Sequence, residues 1–511
     1  MERKRLKSLR EFVDALRALD EIIEVHEEVD WHLEIGAITR RCYETGSPAP
    51  LFENIKGIEK GFRVLGASGG VSRQPGLYLA RVALALGLPP STPGREIVEA
   101  LVEARNRPLV PPRIVSSGPC QENTWVGEQV DLLRLPTPLL HDGDGGRFIN
   151  TLGSFIARTP DGRWTNWSIA RAMIVDKTKM AGIVAPNQHL GMIWNMWREQ
   201  GKPMPFALAL GGEPFLPYVS GMPLPAWVDE AAYVGAYFGE PVDVVRCVTV
   251  PLEAPAHADI VIEGFLSHEE TAAEGPMGEY AGYITRGEGQ QKPVYNVTAV
   301  TFRNGAILPI SVAGEPVEEN HTAWGIPNAA EILYELRKAG LPVATAWSPF
   351  ETANNWFVIA MQRDWRKKLG YGNDRLCRTI GDVLFASKAG SGTPKYLVVN
   401  DDIDVTNIRE VVWAFATRNP PGERGETLWK DENNQPLVPY FSNKEKAGMR
   451  GTKVVYACLP PDEWGDEIPA SRSSFAHNYP KELQERVLSK WKAYGFGSNV
   501  PSAVEGSLGR P

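Results

Sequence analysis

Glu274-Gly-Pro-Met-Gly-Glu279 sets two carboxylates on one short stretch that suits neither a helix nor a central strand. Gly275 and Gly278 open backbone angles closed to other residues, while Pro276 fixes its own φ and restrains Gly275, so a shaped loop is expected. Two acids on one loop raise each other's proton affinity unless a cation intervenes, and one carboxyl then stays protonated near neutrality. The chemistry on offer is proton transfer by a positioned acid. The competing expectation is a solvated acidic turn.

A second constellation lies at 166–189. Asn166-Trp-Ser-Ile-Ala-Arg171 is strand-like, and a loop further on delivers Gln188 and His189 to a helix start. Free N–H groups and a partial positive charge at such an end favour an anion such as phosphate. Asn166, His189 and a carboxylate such as Glu230 would make a mixed oxygen and nitrogen site suited to Mn2+ or Mg2+. The alternative is that Asn166 caps a turn and His189 caps the helix. Arg171 is the natural partner of the acidic loop, because guanidinium grips carboxylates in a planar two-bond geometry. One arginine between Glu274 and Glu279 could hold a substrate carboxylate and leave one acid as proton donor; a structural salt bridge is the other view. Asn166 and Arg171 are five positions apart and so face opposite ways on an ideal strand. Serving one site requires a bulge, or a site that wraps the strand end. Lys395, in Gly392-Thr-Pro-Lys395, suits a phosphate or a solvated surface; Asn320 and His321 suit a helix cap or a site.

The elements that must position these residues fall into three segments. The 511 residues exceed one typical core and suggest about three domains. Residues 1–115 alternate helix and strand patterns: helices near 5–18, 33–45, 77–87 and 96–105, strands at Ile22–Val25 and Arg63–Gly66. His141-Asp-Gly-Asp-Gly-Gly146 reads as a flexible turn. From 116 to 315, strands such as Phe148–Ala157, Trp164–Val175, Met180–Val184, Val242–Val250, Asp259–Leu266 and Val294–Phe302 suggest a β-barrel or sandwich. Helices are inserted at 190–198 and 229–238. A helix at 327–339, within a connecting segment 316–340, leads to renewed α/β alternation over 341–495, with 419–437 expected as a loop and 496–511 as a frayed tail.

A formal charge of −8 argues against a nucleic-acid or anionic-membrane surface. Five scattered cysteines without C-x-x-C spacing fit a reducing, cytosolic compartment. No apolar run approaches the roughly 18–20 residues that span a bilayer.

Together, Asn166-Trp-Ser-Ile-Ala-Arg171, Gln188-His189, Gly221-Met-Pro-Leu-Pro225 with Glu230, Glu274-Gly-Pro-Met-Gly-Glu279, Asn304-Gly-Ala-Ile-Leu-Pro309 and Asn400-Asp-Asp-Ile-Asp404 resemble the UbiD-type family of reversible decarboxylases that use prenylated FMN. The likeness spans roughly residues 10–495. It implies a mixed α+β fold: an N-terminal α/β segment, a split β-barrel that binds the flavin, a connecting helix and a C-terminal α/β oligomerisation domain. It implies that Asn166, His189 and Glu230 bind Mn2+, with K+ beside it on Trp167, Val219, Ser220, Met222 and Glu230. The cofactor would meet Asn166, Trp167, Ser168, Ile169, Ala170, Arg171, Gln188, His189, Ser220, Met222, Pro223 and Glu230, with Lys395 on its phosphate. Arg171, Glu274 and Glu279 match the family's catalytic network. Decarboxylation then runs through a covalent adduct with prenylated FMN, with Glu279 as proton donor and Glu274 holding Arg171. The branch most resembled takes pyrrole-, furan- or indole-type acids, with Asn320 at the ring and Lys388 where that branch has a histidine; cinnamic and hydroxybenzoic acids stay open. The resemblance also implies a cytoplasmic homodimer supplied by a flavin prenyltransferase. Two other classes stay in view: a metal-assisted hydrolase using the two glutamates as acid and base, and a flavin-binding protein without turnover, which the loss of Glu279 or Arg171 would favour and their presence does not.

Overall fold

The computed structural model describes residues 3–435, 437–464 and 472–496. The expected tail beyond 496 lies outside them.

In the N-terminal segment, Leu9, Phe12, Val13 and Leu16 bury one face of the helix Leu9–Arg17, whose start is capped by Ser8 accepting from the Glu11 N–H. The sheet beneath it pairs Ile22–Val25, Ala49–Phe52, Arg63–Gly66 and, in last place, Ile307–Ile310. That final strand comes from the Asn304–Pro309 motif and pairs in parallel with Arg63–Gly66, tying the end of the central segment back to the first.

Among the described residues the central sheet has nine strands. It runs in the order Phe148–Asn150, Ala172–Ile174, Lys179–Ala181, Gln290–Phe302, Ile260–Glu274, Met204–Leu210, Ser154–Arg158, Thr165–Ser168, with Asn123–Val126 also paired to Gln290–Phe302. Two stretches expected as single strands are broken. Asn150 Oδ1 accepts from the Gly153 N–H at 2.6 Å and turns the chain, dividing 148–157. The stretch 164–175 divides at Ser168–Arg171, and its halves lie near opposite ends of the strand order. Residues 168–171 therefore cross the open side of a curled half-barrel. This crossing removes the parity problem of Asn166 and Arg171: they belong to different edges rather than to opposite faces of one strand.

The C-terminal sheet runs Val343–Trp347, Trp356–Met361, Lys395–Asn400, Arg450–Ala457, Glu426–Asn433. Its inner parallel strands Trp356–Met361 and Lys395–Asn400 are near-continuous apolar runs, buried on both faces. The strand Glu426–Asn433 corrects the loop expected at 419–437: pairing with Arg450–Ala457 overrides the local turn residues. The connecting helix Gly325–Lys338 is buried along most of its length and packs on the helix Gly94–Arg105 and the strand Val343–Trp347, so one apolar core runs from the first segment into the last. A second core fills the half-barrel. Among the described residues, no helix is long and apolar enough to cross a membrane.

Candidate active site

The acidic loop leaves the sheet at Glu274, the last residue of the strand Ile260–Glu274. Gly275 takes φ +80°, a left-handed angle that favours glycine. Gly278 does not lie in that region; its missing side chain makes room for His141 instead. Arg171 Nε donates to Glu274 Oε1 at 2.7 Å and Nη2 to Glu274 Oε2 at 3.2 Å, while Nη1 donates to Glu279 Oε1. Glu274 is sealed from solvent, whereas the Glu279 side chain keeps 24% of its surface exposed. Burial raises the Glu279 carboxyl, Arg171 opposes this, and the charges of Glu274 and Asp144 add to the rise. Burial disfavours the charge on Arg171, but the two glutamates outweigh it and raise its pKa overall.

The loop expected to be flexible at 141–146 is the floor of this assembly. His141 Nδ1 lies 2.9 Å from Asp144 Oδ2 and Nε2 lies 2.7 Å from the Ala313 carbonyl. Both partners are acceptors, so both ring nitrogens carry hydrogen and the ring is an imidazolium. Burial opposes that charge, but the bond to Asp144, its charge and the carbonyl raise the His141 pKa overall. Asp144 Oδ1 accepts from the Gly278 N–H at 2.9 Å, and the Gly145 N–H donates to the Pro276 carbonyl at 2.8 Å. No sequence signal links 141–146 to 274–279; only the fold brings them together.

Asn166, His189 and Glu230 converge at the other edge of the half-barrel. Glu230 opens the helix Glu230–Phe238, which Asp229 caps, and His189 opens the helix His189–Glu199 after Gln188. Asn166 Nδ2 donates to Glu230 Oε1 at 2.7 Å and lies 3.4 Å from His189 Nδ1, while the Trp167 N–H donates to Glu230 Oε2 at 2.8 Å. Asn166 Oδ1 is buried without a partner. Burial pushes Glu230 up to about 8, its bonds to Trp167 and Asn166 opposing. Burial and the charge of Lys388 push His189 down to about 3, so its imidazole is neutral and available as a ligand. An orphaned amide oxygen, a neutral imidazole and a carboxylate short of positive charge form a donor set that suits a hard divalent cation. Among the described residues no group of three His, Cys, Asp or Glu side chains offers an alternative.

The remaining expected residues divide between these two edges. The Ile169 N–H donates to the Ser220 carbonyl at 3.2 Å, Ser220 Oγ meets Ser154 Oγ at 2.6 Å, and the Met222 N–H donates to the Val219 carbonyl at 3.0 Å. Ser168 Oγ is buried without a partner, and the Ala170 carbonyl accepts from Asn150 at 2.7 Å. Gln188 is exposed.

The C-terminal domain supplies the opposite wall. Lys388 opens a short helix, Lys388–Ser391, whose last carbonyls accept from buried Lys453 at 2.7 and 2.8 Å. Burial lowers Lys388 to about 8 against the opposing charge of Glu230, which places its ammonium in the field of the Asn166–His189–Glu230 group. The Lys395 Nζ lies 4.4 Å from the ring centre of Tyr440. Asn320 lies in a π-helical turn, Asn320–Trp324, with its amide nitrogen 3.1 and 3.0 Å from the two Glu318 oxygens. His321 is buried and does not cap the helix. It accepts from the Glu318 N–H at 3.0 Å through Nδ1 and donates from Nε2 to the Tyr280 carbonyl at 2.9 Å, which fixes one neutral tautomer.

Comparison with known proteins matches three consecutive segments to one family. The models are described as the 3-octaprenyl-4-hydroxybenzoate carboxy-lyase N-terminal domain (residues 13–101), Rift-related domain (113–316) and C-terminal domain (321–458). A pyrrole-2-carboxylic acid decarboxylase of Pseudomonas aeruginosa is 46% identical over 488 residues, covering 96% of this chain and 98% of that one. Ferulic acid decarboxylase 1 of Saccharomyces cerevisiae is 39% identical over 494 residues, covering 95% and 98%. Among solved structures, an evolved dimeric form of the UbiD-class enzyme HmfF from Pelotomaculum thermopropionicum in complex with prFMN superposes with a TM-score of 0.74 at 28% identity, over 89% of this chain and 95% of that one. The closed form of vanillic acid decarboxylase from Sedimentibacter hydroxybenzoicus shares the fold, with a TM-score of 0.82 at 23% identity over 96% and 99%. The protein belongs to the UbiD family of carboxy-lyases.

Proposed function

We propose that the protein catalyses the reversible, non-oxidative decarboxylation of an aromatic or heteroaromatic acid, with pyrrole-2-carboxylate and its five-membered relatives as the preferred class. The observation that carries this is Arg171 fixed between buried Glu274 and part-exposed Glu279, on a segment whose other end carries Asn166, which meets Glu230 and His189. The 46% identity to a pyrrole-2-carboxylic acid decarboxylase supports the substrate class.

A flavin is the cofactor, and we assign it as prenylated FMN. Asn166, His189 and Glu230 would hold Mn2+, with K+ on Trp167, Val219, Ser220, Met222 and Glu230, and the metal would supply positive charge for an anionic cofactor group. Lys388, whose charge is felt by both Glu230 and His189, supports a phosphate role better than Lys395 does. Prenylated FMN supplies, when bound, the electron sink for the pair released as CO2 departs. The protein's own residues do the rest. One guanidinium faces two carboxylates, and an acid substrate adds a third, so one glutamate must carry a proton for the acid to bind. Glu279 is that group, because burial raises it and Glu274 is tied to Arg171 through two donors. Arg171 orients the substrate carboxylate. The C–COO− bond breaks to give CO2, and the Glu279 proton passes to the carbon that lost it. The same steps in reverse give carboxylation. A cytoplasmic homodimer, loaded by a flavin prenyltransferase, completes the proposal.

Native and denaturing mass spectrometry with a visible spectrum, on protein co-produced with a flavin prenyltransferase, tests the cofactor. A bound species heavier than FMN by one cyclised prenyl group, with CO2 release from pyrrole-2-carboxylate, is the expected result. Loaded protein that releases CO2 from none of the pyrrole, furan, indole, cinnamic or hydroxybenzoic acids would overturn the assignment.

A further inference from the structure

Gln435 of the C-terminal domain reaches Tyr280, the residue that follows the acidic loop. Gln435 Nε2 donates to the Tyr280 hydroxyl at 2.9 Å and to the Gly392 carbonyl at 3.1 Å. The carbonyl accepts only, so the amide can be oriented one way: NH2 toward Gly392 and Tyr280, with Oε1 left over. No protein group among the described residues bonds that oxygen. Tyr280 adjoins Glu279, its ring meets Trp324 edge-on at 5.5 Å, and its carbonyl is held by His321. A Cβ on Gly392 would stand 3.9 Å from both the Gln435 amide and Trp324, so these groups surround one small space. Asn320 shares the π-helical turn with Trp324, where residues four apart fall on nearly the same face. Its NH2 is also tied down, to the two oxygens of Glu318, which leaves Oδ1 uncommitted.

We infer that Gln435 is a specificity-determining residue: it adds a second carbonyl acceptor beside Asn320, which the family resemblance places at the ring, and so selects acids whose ring carries an N–H. Two amides of opposite origin have both had their donors used by the protein, and only acceptors remain. A pyrrole-type N–H gives such a pair a donor to share, as a bifurcated bond. A furan oxygen meets it as a further acceptor and leaves it unpaired, which costs binding. This rests on the proposed substrate class and narrows it.

The test compares holoenzyme and its Gln435→Leu and Tyr280→Phe variants on pyrrole-2-carboxylate and furan-2-carboxylate, which differ by N–H against O. Calorimetric binding of both acids in a Glu279→Gln background reads affinity without turnover. Gln435→Leu is expected to lower kcat/KM and affinity for the pyrrole acid by about tenfold or more, and to leave the furan acid within about threefold. Tyr280→Phe, which removes one of two tethers, shifts the ratio the same way by less. Equal losses on both rings, or an unchanged pyrrole-to-furan ratio, would overturn the role of Gln435. A wild type that turns over neither ring overturns the substrate class itself, which is a separate result.

Discussion

Gly278 lies against the imidazole of His141 so closely that a Cβ there would come within 2.8 Å of both Cε1 and Nδ1. The next residue is Glu279, and the Gly278 N–H is bonded to Asp144, the partner of His141. The His141–Asp144 pair thus sets the height of the acidic loop over Arg171. Gly278→Ala should push the loop off this floor, at about 1–3 kcal/mol of overpacking. A displacement of about 1 Å at the proton donor costs roughly 10²-fold in rate. Decarboxylation should therefore fall far more than melting temperature does, with flavin content unchanged. Equal activity in the variant would show that Glu279 does not depend on this contact.

Glu279→Gln keeps the shape and the bond to Arg171 but has no proton to give. Net decarboxylation and substrate-proton exchange should both fall by about 10²–10⁴-fold. Flavin and metal content should match wild type, since Glu279 belongs to the other edge of the half-barrel. Activity within tenfold of wild type would move the proton-donor role elsewhere.

Asn166→Ala removes the amide whose buried Oδ1 has no protein partner. Metal content after dialysis should drop by at least roughly tenfold in apparent affinity. A chelator should reproduce the loss in wild type and release flavin with it, followed by metal analysis and absorbance. Retention of full flavin after complete metal removal would separate the two sites.

Glu318 and Glu319 form a buried acidic pair outside the reacting groups, each raised to about 7, first by burial. Glu318 accepts from Ser311, from the Asn320 N–H and from the Asn320 amide. Glu319 is bonded to Tyr43 and the Gly69 N–H, and the charge of Glu318 adds to its rise. A carboxyl raised from its unfolded value of 4.5 contributes stability that is fully present below that pH and is lost as pH rises through about 7. Glu319→Gln mimics the protonated form and cannot ionise. The variant should melt close to wild type at pH 5 and above it at pH 8, and a parallel pair of pH–melting curves would place the titration on another group.

How much of this was legible in the sequence depends on whether a residue's partner lies on its own segment. Helical spacing gave the Leu9–Arg17, His189–Glu199 and Glu230–Phe238 helices, and the motif residues fall into two groups that the fold brings together, Arg171 with Glu274 and Glu279, and Asn166 with His189 and Glu230. The strand break at Ser168–Arg171 was hidden, because 164–175 is apolar enough to run as one strand and only sheet closure divides it. The roles of His141 and Asp144 were hidden too: Asp-Gly-Asp-Gly-Gly is turn chemistry in isolation, and the partner is a glycine whose value lies in what it lacks. Gln435 sits just past a strand that turn residues masked.

The lysines show the same limit. Lys395 stands at a strand start after Gly-Thr-Pro, a position that invites a phosphate, yet its ammonium lies over Tyr440. Lys388 looked like a ring contact, yet it is the lysine whose charge reaches Glu230 and His189. A charge-assisted bond to phosphate is worth about 1.5–3 kcal/mol, or roughly 10- to 100-fold in affinity. Lys388→Met should therefore weaken flavin retention by that factor, read by dialysis and absorbance, while Lys395→Met should leave it near wild type. Both lysines precede buried backbone, so circular dichroism on each variant must first show an intact fold. Should Lys395→Met shed flavin and Lys388→Met keep it, the phosphate belongs to Lys395, and Lys388 returns to the substrate ring.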